Sequence, residues 1–201
     1  MFKKIQILMF ALLMFALFNA NITQAQPTKT VTDVYPVVSI APIGGVQFPV
    51  SGLNDLYNAS WNAGLDIGLK INRETSFYIN GTFFNMPIKT ELPPGPNASY
   101  IAICAGPRYI FSSRSIKAQI FVEAGLGVYI FTMNEWTPTT DPAVTIPSES
   151  KTSFGVNVGP GVIIPLGKAF DLLFKTKLHY TFQTGGSHTF VAINLGLDFK
   201  L

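Results

Sequence analysis

The sequence has little cysteine, little histidine and little charge, and each scarcity excludes a class of protein. Cys104 is the single cysteine, so no internal disulfide framework holds the fold together. With only two histidines, His179 and His188, the chain does not predict a metal centre, and we expect no cofactor. Charged residues make up 12% of the 201 residues, where an ordinary soluble domain has about 25%.

The N-terminus predicts a secretory signal peptide over residues 1–25. Two lysines precede an apolar run from Ile5 to Phe18, and a stretch of small residues follows and ends at Ala25. We therefore expect an exported protein. Residues 26–34 are expected to form a short periplasmic segment before the first strand.

The remaining chain is hydrophobic but lacks a long apolar run. After residue 25, no stretch approaches the roughly 18 uninterrupted apolar residues of a membrane helix. Removing Lys3 and Lys4 lowers the formal charge from +3 to +1, so no nucleic-acid partner is predicted. A closed β-barrel is the other structure that satisfies its backbone hydrogen bonds in lipid.

The pattern that remains is a strict alternation of apolar and polar residues. In the last eleven residues, Val191 to Leu201, every second residue is apolar, which predicts a strand with one apolar face. Seven other segments alternate in the same way. The eight predicted strands are 36–49, 60–71, 75–88, 100–111, 116–131, 153–166, 170–182 and 191–201.

Two kinds of residue interrupt these predicted strands. Pro42, Pro107 and Pro160 each remove a ladder hydrogen bond, so we expect bulges or strand ends there. The Gly44-Gly45 pair predicts either a bulge or a close backbone approach.

The connections alternate between short and long. Short turns are predicted at 72–74, 112–115 and 167–168, and longer links at 50–59, 89–99, 133–151 and 183–187. This asymmetry is typical of outer-membrane barrels, which have short periplasmic turns, longer extracellular loops and both termini in the periplasm. A soluble lipid-binding barrel would instead carry its apolar residues inside.

The predicted fold is therefore an all-β, eight-stranded, antiparallel up-and-down transmembrane barrel over residues 35–201, with a filled polar interior. Such a barrel is just wide enough for side chains to fill it. The charges should pair with one another, and we expect a direct ion pair between Arg108 and Glu123. An ion path or gate is the alternative use of these residues. The predicted interior group is Asp66, Lys70, Arg108, Lys117, Glu123, Asp171, Lys175, Lys177, His179 and Asp198.

The final strand resembles the C-terminal strand of outer-membrane barrels, with Phe199 near the end and Leu201 where Phe is usual. Over residues 35–201 the chain resembles the outer-membrane β-barrel domain family, in particular the small OmpA-, OmpX- and PorT-like barrels. The resemblance implies a non-enzymatic structural, adhesive or accessory role in the bacterial outer membrane. It also implies contact with membrane lipid and lipopolysaccharide, with the barrel-assembly machinery during insertion, and with an extracellular or envelope protein. The oligomeric state is left open.

A second hypothesis is a barrel that handles a small apolar or lipid molecule, as a narrow conduit or as a lipid A-modifying enzyme. His179-Tyr180-Thr181 is similar to the His-x-Ser element of outer-membrane lipid A deacylases. Here Thr181 replaces the Ser, no Glu follows Glu149, and the pair points inward. We therefore expect no enzyme and no catalytic residue.

The longest link, 133–151, contains Trp136. An exposed aromatic residue on a loop is a candidate contact for a partner protein. The alternative is that Trp136 lies at the level of the lipid headgroups, as aromatic girdle residues do.

Overall fold

The computed structural model describes residues 35–89, 95–111, 118–137, 145–167, 169–183 and 186–201. The predicted signal peptide and periplasmic segment lie outside these residues, as does Lys117. Among the described residues, no helix has the length and apolar character needed to cross a membrane.

The chain forms a closed antiparallel barrel of eight strands, in which each strand pairs with its neighbour in sequence and the last pairs with the first. This confirms the predicted fold class. A short helix, α1 (Leu53–Leu56), lies in the first link. The strands are β1 (Val37–Val50), β2 (Ser60–Lys70), β3 (Thr75–Met86), β4 (Ala98–Phe111), β5 (Gln119–Met133), β6 (Glu149–Pro165), β7 (Phe170–Phe182) and β8 (His188–Lys200).

The alternation in the sequence separates an outer apolar face from an inner polar one. In β2, Trp61 is 53% exposed, whereas Asn62 and Asp66 are 2% exposed. The same alternation runs through the other strands, with Leu126 and Phe154 among the most exposed apolar residues. This is the reverse of a soluble lipid-binding barrel.

The expectation of bulges or strand ends at the prolines was wrong. Pro42, Pro107 and Pro160 all lie within strands and pair in register with one neighbouring strand. On the other side, each proline and the residue before it are missing from the ladder, yet the register is the same above and below the gap. The lost hydrogen bonds are therefore accommodated without inserting a residue.

The Gly44-Gly45 pair likewise forms no bulge, since the register of β1 is unbroken there with both neighbours. Of the two alternatives, the close backbone approach is correct at Gly45. A Cβ atom at Gly45 would collide with the carbonyl oxygen of Ile193 on β8. Only glycine allows the first and last strands to lie this close.

Two ends of the barrel are distinguished by their connections. At the turn end, links of four, seven and four residues join β2 to β3, β4 to β5 and β6 to β7, and β1 begins and β8 ends there. At the loop end, the links are nine, eleven, fifteen and five residues long, so the predicted alternation fails at one point, where the β7–β8 link is shorter than the β4–β5 link. β6 begins at Glu149 rather than at residue 153, because its first four residues are all exposed and their side chains do not alternate between apolar and polar.

Candidate functional site

The barrel interior is filled in layers. Six apolar side chains occupy the turn end: Ala41, Ile43, Ile110, Phe121, Ile163 and Leu173. A larger, mainly aromatic layer occupies the loop end: Leu53, Tyr57, Tyr78, Phe84, Met86, Ala98, Tyr100, Ala102, Cys104, Tyr129, Phe190 and Ala192. Buried charged side chains lie between these layers.

Five buried charged residues form what we call the ion cluster: Asp66, Arg108, Glu123, Lys175 and Lys177. Arg108 donates through Nε to Glu123 Oε2 at 2.7 Å and through Nη2 to Asp66 Oδ1 at 3.0 Å. Lys177 Nζ lies 2.8 Å from Glu123 Oε1, and Lys175 contacts both carboxylates. All five side chains are at most 3% exposed.

The ion cluster contains three cations and two carboxylates, and the ring of Tyr78 contacts two of the cations, Arg108 and Lys177. Lys177 Nζ lies 3.9 Å from the centre of the Tyr78 ring, and the Arg108 guanidinium lies 5.5 Å from it. The Tyr78 hydroxyl donates to Asn157 Oδ1 at 2.7 Å. Sequence reasoning placed Tyr78 on the inner face but did not assign it to the site. The excess of buried cations over carboxylates could have indicated this role for Tyr78, because an aromatic face is an alternative partner for a buried cation.

The other predicted interior charges lie at the turn end, apart from the ion cluster. Lys70 donates to Gln119 Oε1 at 3.3 Å. Lys200 Nζ lies 2.9 Å from Asp171 Oδ1. Asp198 on β8 is the register partner of Asp171. The structure therefore brings five of the predicted residues together and leaves Lys70, Asp171 and Asp198 outside that group.

His179 and Thr181 face the interior but do not contact each other through a hydrogen bond in the structure. The fully buried His179 ring stacks on Phe190 with a centroid distance of 4.7 Å, and its Nδ1 bonds the Tyr129 hydroxyl at 2.9 Å. The Thr181 hydroxyl donates to the backbone oxygen of His188 at 3.4 Å. The geometry gives no nucleophile–base contact of the kind that a deacylase uses.

A short cap, which consists of α1 and Tyr57, packs on the aromatic layer at the loop end. Ser51 and Gly52 have positive φ angles of 47° and 74°, and the turn that they form places Leu53 of α1 in this buried cluster. Leu53 and Tyr57 are buried there, and burial raises the pKa of the Tyr57 hydroxyl. Sequence reasoning treated this segment as a plain loop, since four helical residues carry too little periodicity to be recognised.

A pocket of about 350 Å³ lies beside the cap. It is bounded by α1, by the loop ends of β5 and β6, and by the start of β8 with His188. Trp136 lies farther along the β5–β6 link, where its backbone exchanges hydrogen bonds of 3.0 and 2.9 Å with Ile146. A single antiparallel bridge to Ile146 therefore fixes the backbone of Trp136 within the link.

Solved structures of similar shape identify the fold. Neisserial surface protein A matches with a TM-score of 0.61 and 16% identity, over 82% of this chain and 97% of that one. A major outer membrane protein from Thermus thermophilus matches with a TM-score of 0.60 and 12% identity, over 82% of this chain and 99% of that one. The chain has the fold of the small outer-membrane β-barrels. OprG from Pseudomonas aeruginosa is a further example, with a TM-score of 0.57 and 11% identity, over 84% of this chain and 99% of that one.

No protein-family model matches this small outer-membrane-type barrel, and neither does any curated protein sequence. At these levels of identity, the structural likeness establishes the fold and leaves the biological role to be argued from the molecule itself.

Proposed function

We propose that this protein is an integral outer-membrane barrel with a closed lumen and a non-enzymatic structural or adhesive role. The observation that carries the proposal is the ion cluster, held between an apolar layer and an aromatic layer inside a barrel with an apolar outer face. Such an interior is suited to making a rigid membrane anchor rather than a passage.

The outer face supports insertion in a lipid bilayer. Aromatic pairs lie near both ends of the strands, with Trp61–Phe83 at the loop end and Tyr109–Phe111 at the turn end. Aromatic girdles of this kind mark the two interfaces of a membrane barrel. Outer-membrane lipid and lipopolysaccharide are the surroundings that this surface fits, and the barrel-assembly machinery is the expected insertion partner. We place both termini in the periplasm, because β1 begins and β8 ends at the turn end.

The packing of the interior favours a closed lumen rather than the ion path or gate that the same charged residues could form. An ion crossing the barrel would have to pass the apolar turn-end layer, the ion cluster and the aromatic layer under α1. A passing ion would have to separate Glu123 from its three cations, and leaving a buried charge without a partner costs about 3–5 kcal/mol.

Planar-bilayer recording tests the closed lumen. The protein, folded as judged by heat-modifiable migration, should give no steady conductance under conditions in which a general porin opens stable channels. Large and stable openings from the folded barrel would contradict the proposal and favour the ion path.

The adhesive role requires that Trp136 be in water rather than in the headgroup region. The chain has two tryptophans, Trp61 and Trp136, so W61F and W136F each leave one reporter. We expect iodide to quench Trp136 and brominated lipid to quench Trp61. Quenching of Trp136 by brominated lipid would assign it to the girdle and remove it as a partner contact.

A further inference from the structure

The pocket beside the cap exists because the barrel wall is uneven at the loop end. β6 pairs with β5 from Glu149 onward, whereas its described pairing with β7 begins at Phe154. Residues of α1 and of the loop ends of β5 and β6 line the pocket. The space between them measures about 350 Å³, near the lower end of the roughly 300–1,000 Å³ range of small-molecule sites.

One side of this pocket is apolar. Leu53 and Tyr57 from the cap and Phe131 and Met133 from β5 contribute to the lining. The Tyr57 and Phe131 rings meet edge to face, with centroids 6.5 Å apart. A ring or short hydrocarbon body packs well against such a surface.

The pocket is also lined by two polar side chains, Gln183 and His188, that hydrogen-bond the buried Tyr100 hydroxyl. The Tyr100 hydroxyl, in the buried aromatic layer, accepts a hydrogen bond from Gln183 Nε2 at 2.8 Å and also bonds Nδ1 of His188. When the hydroxyl donates to Nδ1 of a neutral imidazole, the imidazole hydrogen is on Nε2. In that tautomer His188 has an N–H at Nε2 that is not used by Tyr100, and His188 and Gln183 both line the pocket.

The rim adds one more donor. Lys151 pairs with Glu149 at 3.0 Å, and both side chains are more than half exposed. An exposed pair of this kind is worth at most about 1 kcal/mol, so Lys151 is free to reorient toward a bound group.

We propose that the pocket binds a small, mainly apolar molecule with a single hydrogen-bond acceptor, of the class of aromatic carbonyl compounds. The ring packs against Tyr57 and Phe131, and the carbonyl oxygen accepts the hydrogen bond from His188. This binding activity is independent of the adhesive role proposed above.

Methionine methyl NMR tests the proposal on the chain from Gln26 onward, folded in lipid nanodiscs. After residue 25 the sequence has two methionines, Met133 in the pocket and Met86 fully buried in the interior. Acetophenone is the probe, and ethylbenzene is its matched analogue, in which a methylene replaces the carbonyl. Acetophenone should shift the Met133 signal saturably and leave Met86 unchanged.

Three variants separate pocket binding from partition into lipid. L56W fills the pocket and should abolish the Met133 shift, whereas N54W, on the same helix but outside the lining, should retain it. H188F removes the donor and should weaken acetophenone binding by about three- to tenfold, the worth of one hydrogen bond. Ethylbenzene binding should be nearly insensitive to H188F.

The proposal is overturned if Met133 does not respond to acetophenone, or if L56W and N54W respond alike. Equal effects of H188F on both probes would show that the site does not recognise the acceptor, which also overturns it. Heat-modifiable migration of each variant verifies the folded barrel, so a failure of binding is separate from a failure of membrane insertion.

Discussion

Glu123 is the residue on which most contacts of the ion cluster converge. Its carboxylate contacts Arg108, Lys175 and Lys177, and its side chain is fully buried. A buried ion pair of this kind gives little net stability compared with an apolar replacement, but breaking it from one side is costly.

We expect E123Q alone to lower the free energy of unfolding by about 3–5 kcal/mol, because it leaves three buried cations with Asp66 as the remaining carboxylate of the ion cluster. R108Q alone should cost less, because Lys175 and Lys177 still contact Glu123 and Lys175 still contacts Asp66. The double variant should recover part of the loss, which gives a non-zero coupling energy in urea titrations of the vesicle-inserted protein. E149Q is the matched control, since Glu149 forms an exposed pair. Its effect should be below about 1 kcal/mol. Strictly additive losses for Arg108 and Glu123 would show that the pair is not energetically coupled.

Gly45 gives a second prediction at the same scale. G45A places a Cβ against the Ile193 carbonyl and should destabilise the barrel by about 1–3 kcal/mol, the usual cost of overpacking. At Gly81 a Cβ would meet no atom within 4 Å. G81A should therefore be neutral or slightly stabilising, because alanine loses less backbone entropy than glycine. Equal effects in thermal unfolding would argue against a close approach of β1 and β8.

Among the structural elements, the strands were the easiest to predict and the links the hardest. The alternation in β7 gave both of its ends, Phe170 and Phe182, because a membrane barrel must keep one face apolar along the whole strand. It failed at the start of β6, where the first four side chains are all exposed and neither face of the strand is buried. The proline prediction failed because a single lost ladder bond does not require a change of register.

The candidate site was predictable in part for the same reason. Parity placed Arg108, Glu123 and the lysines on the inner face, and the need to compensate buried charge suggested pairing. The contact between Asp66 and Lys175 could not be read from the sequence, since it joins strands that are not neighbours in the sheet. The pocket could not be read either, because it depends on how α1 packs on the aromatic layer.

The outer face of β5 gives a prediction at the level of the element. Leu126, at the middle of the strand, is 72% exposed. L126R should lower stability in vesicles by about 2–4 kcal/mol, because a cation at the bilayer midplane is poorly solvated. I146R is the control, since Ile146 is also exposed but lies in the β5–β6 link, outside the strands. A large loss for I146R and a small one for L126R would reverse the assignment of membrane and water.

For the whole molecule, the testable property is its orientation. In a C104S background, a cysteine introduced by N54C on the cap should react with a membrane-impermeant maleimide on intact cells. A cysteine introduced by G167C, in an exposed turn at the other end, should react only after the outer membrane is permeabilised. Labelling of G167C alone on intact cells would mean that the barrel is inserted the other way round.

The contact between Asp66 and Lys175 has a mechanical consequence for the closed ring. β1 and β8 meet along the seam that completes the barrel, and Pro42 leaves a gap in the ladder of that seam next to Ala41. Asp66 lies on β2, directly beside Ala41 of β1, and Lys175 lies on β7, which neighbours β8. The ion pair between Asp66 and Lys175 therefore connects the two sides of the seam through the lumen. The ion pair thus holds the two sides of the seam together next to the gap in its hydrogen bonds.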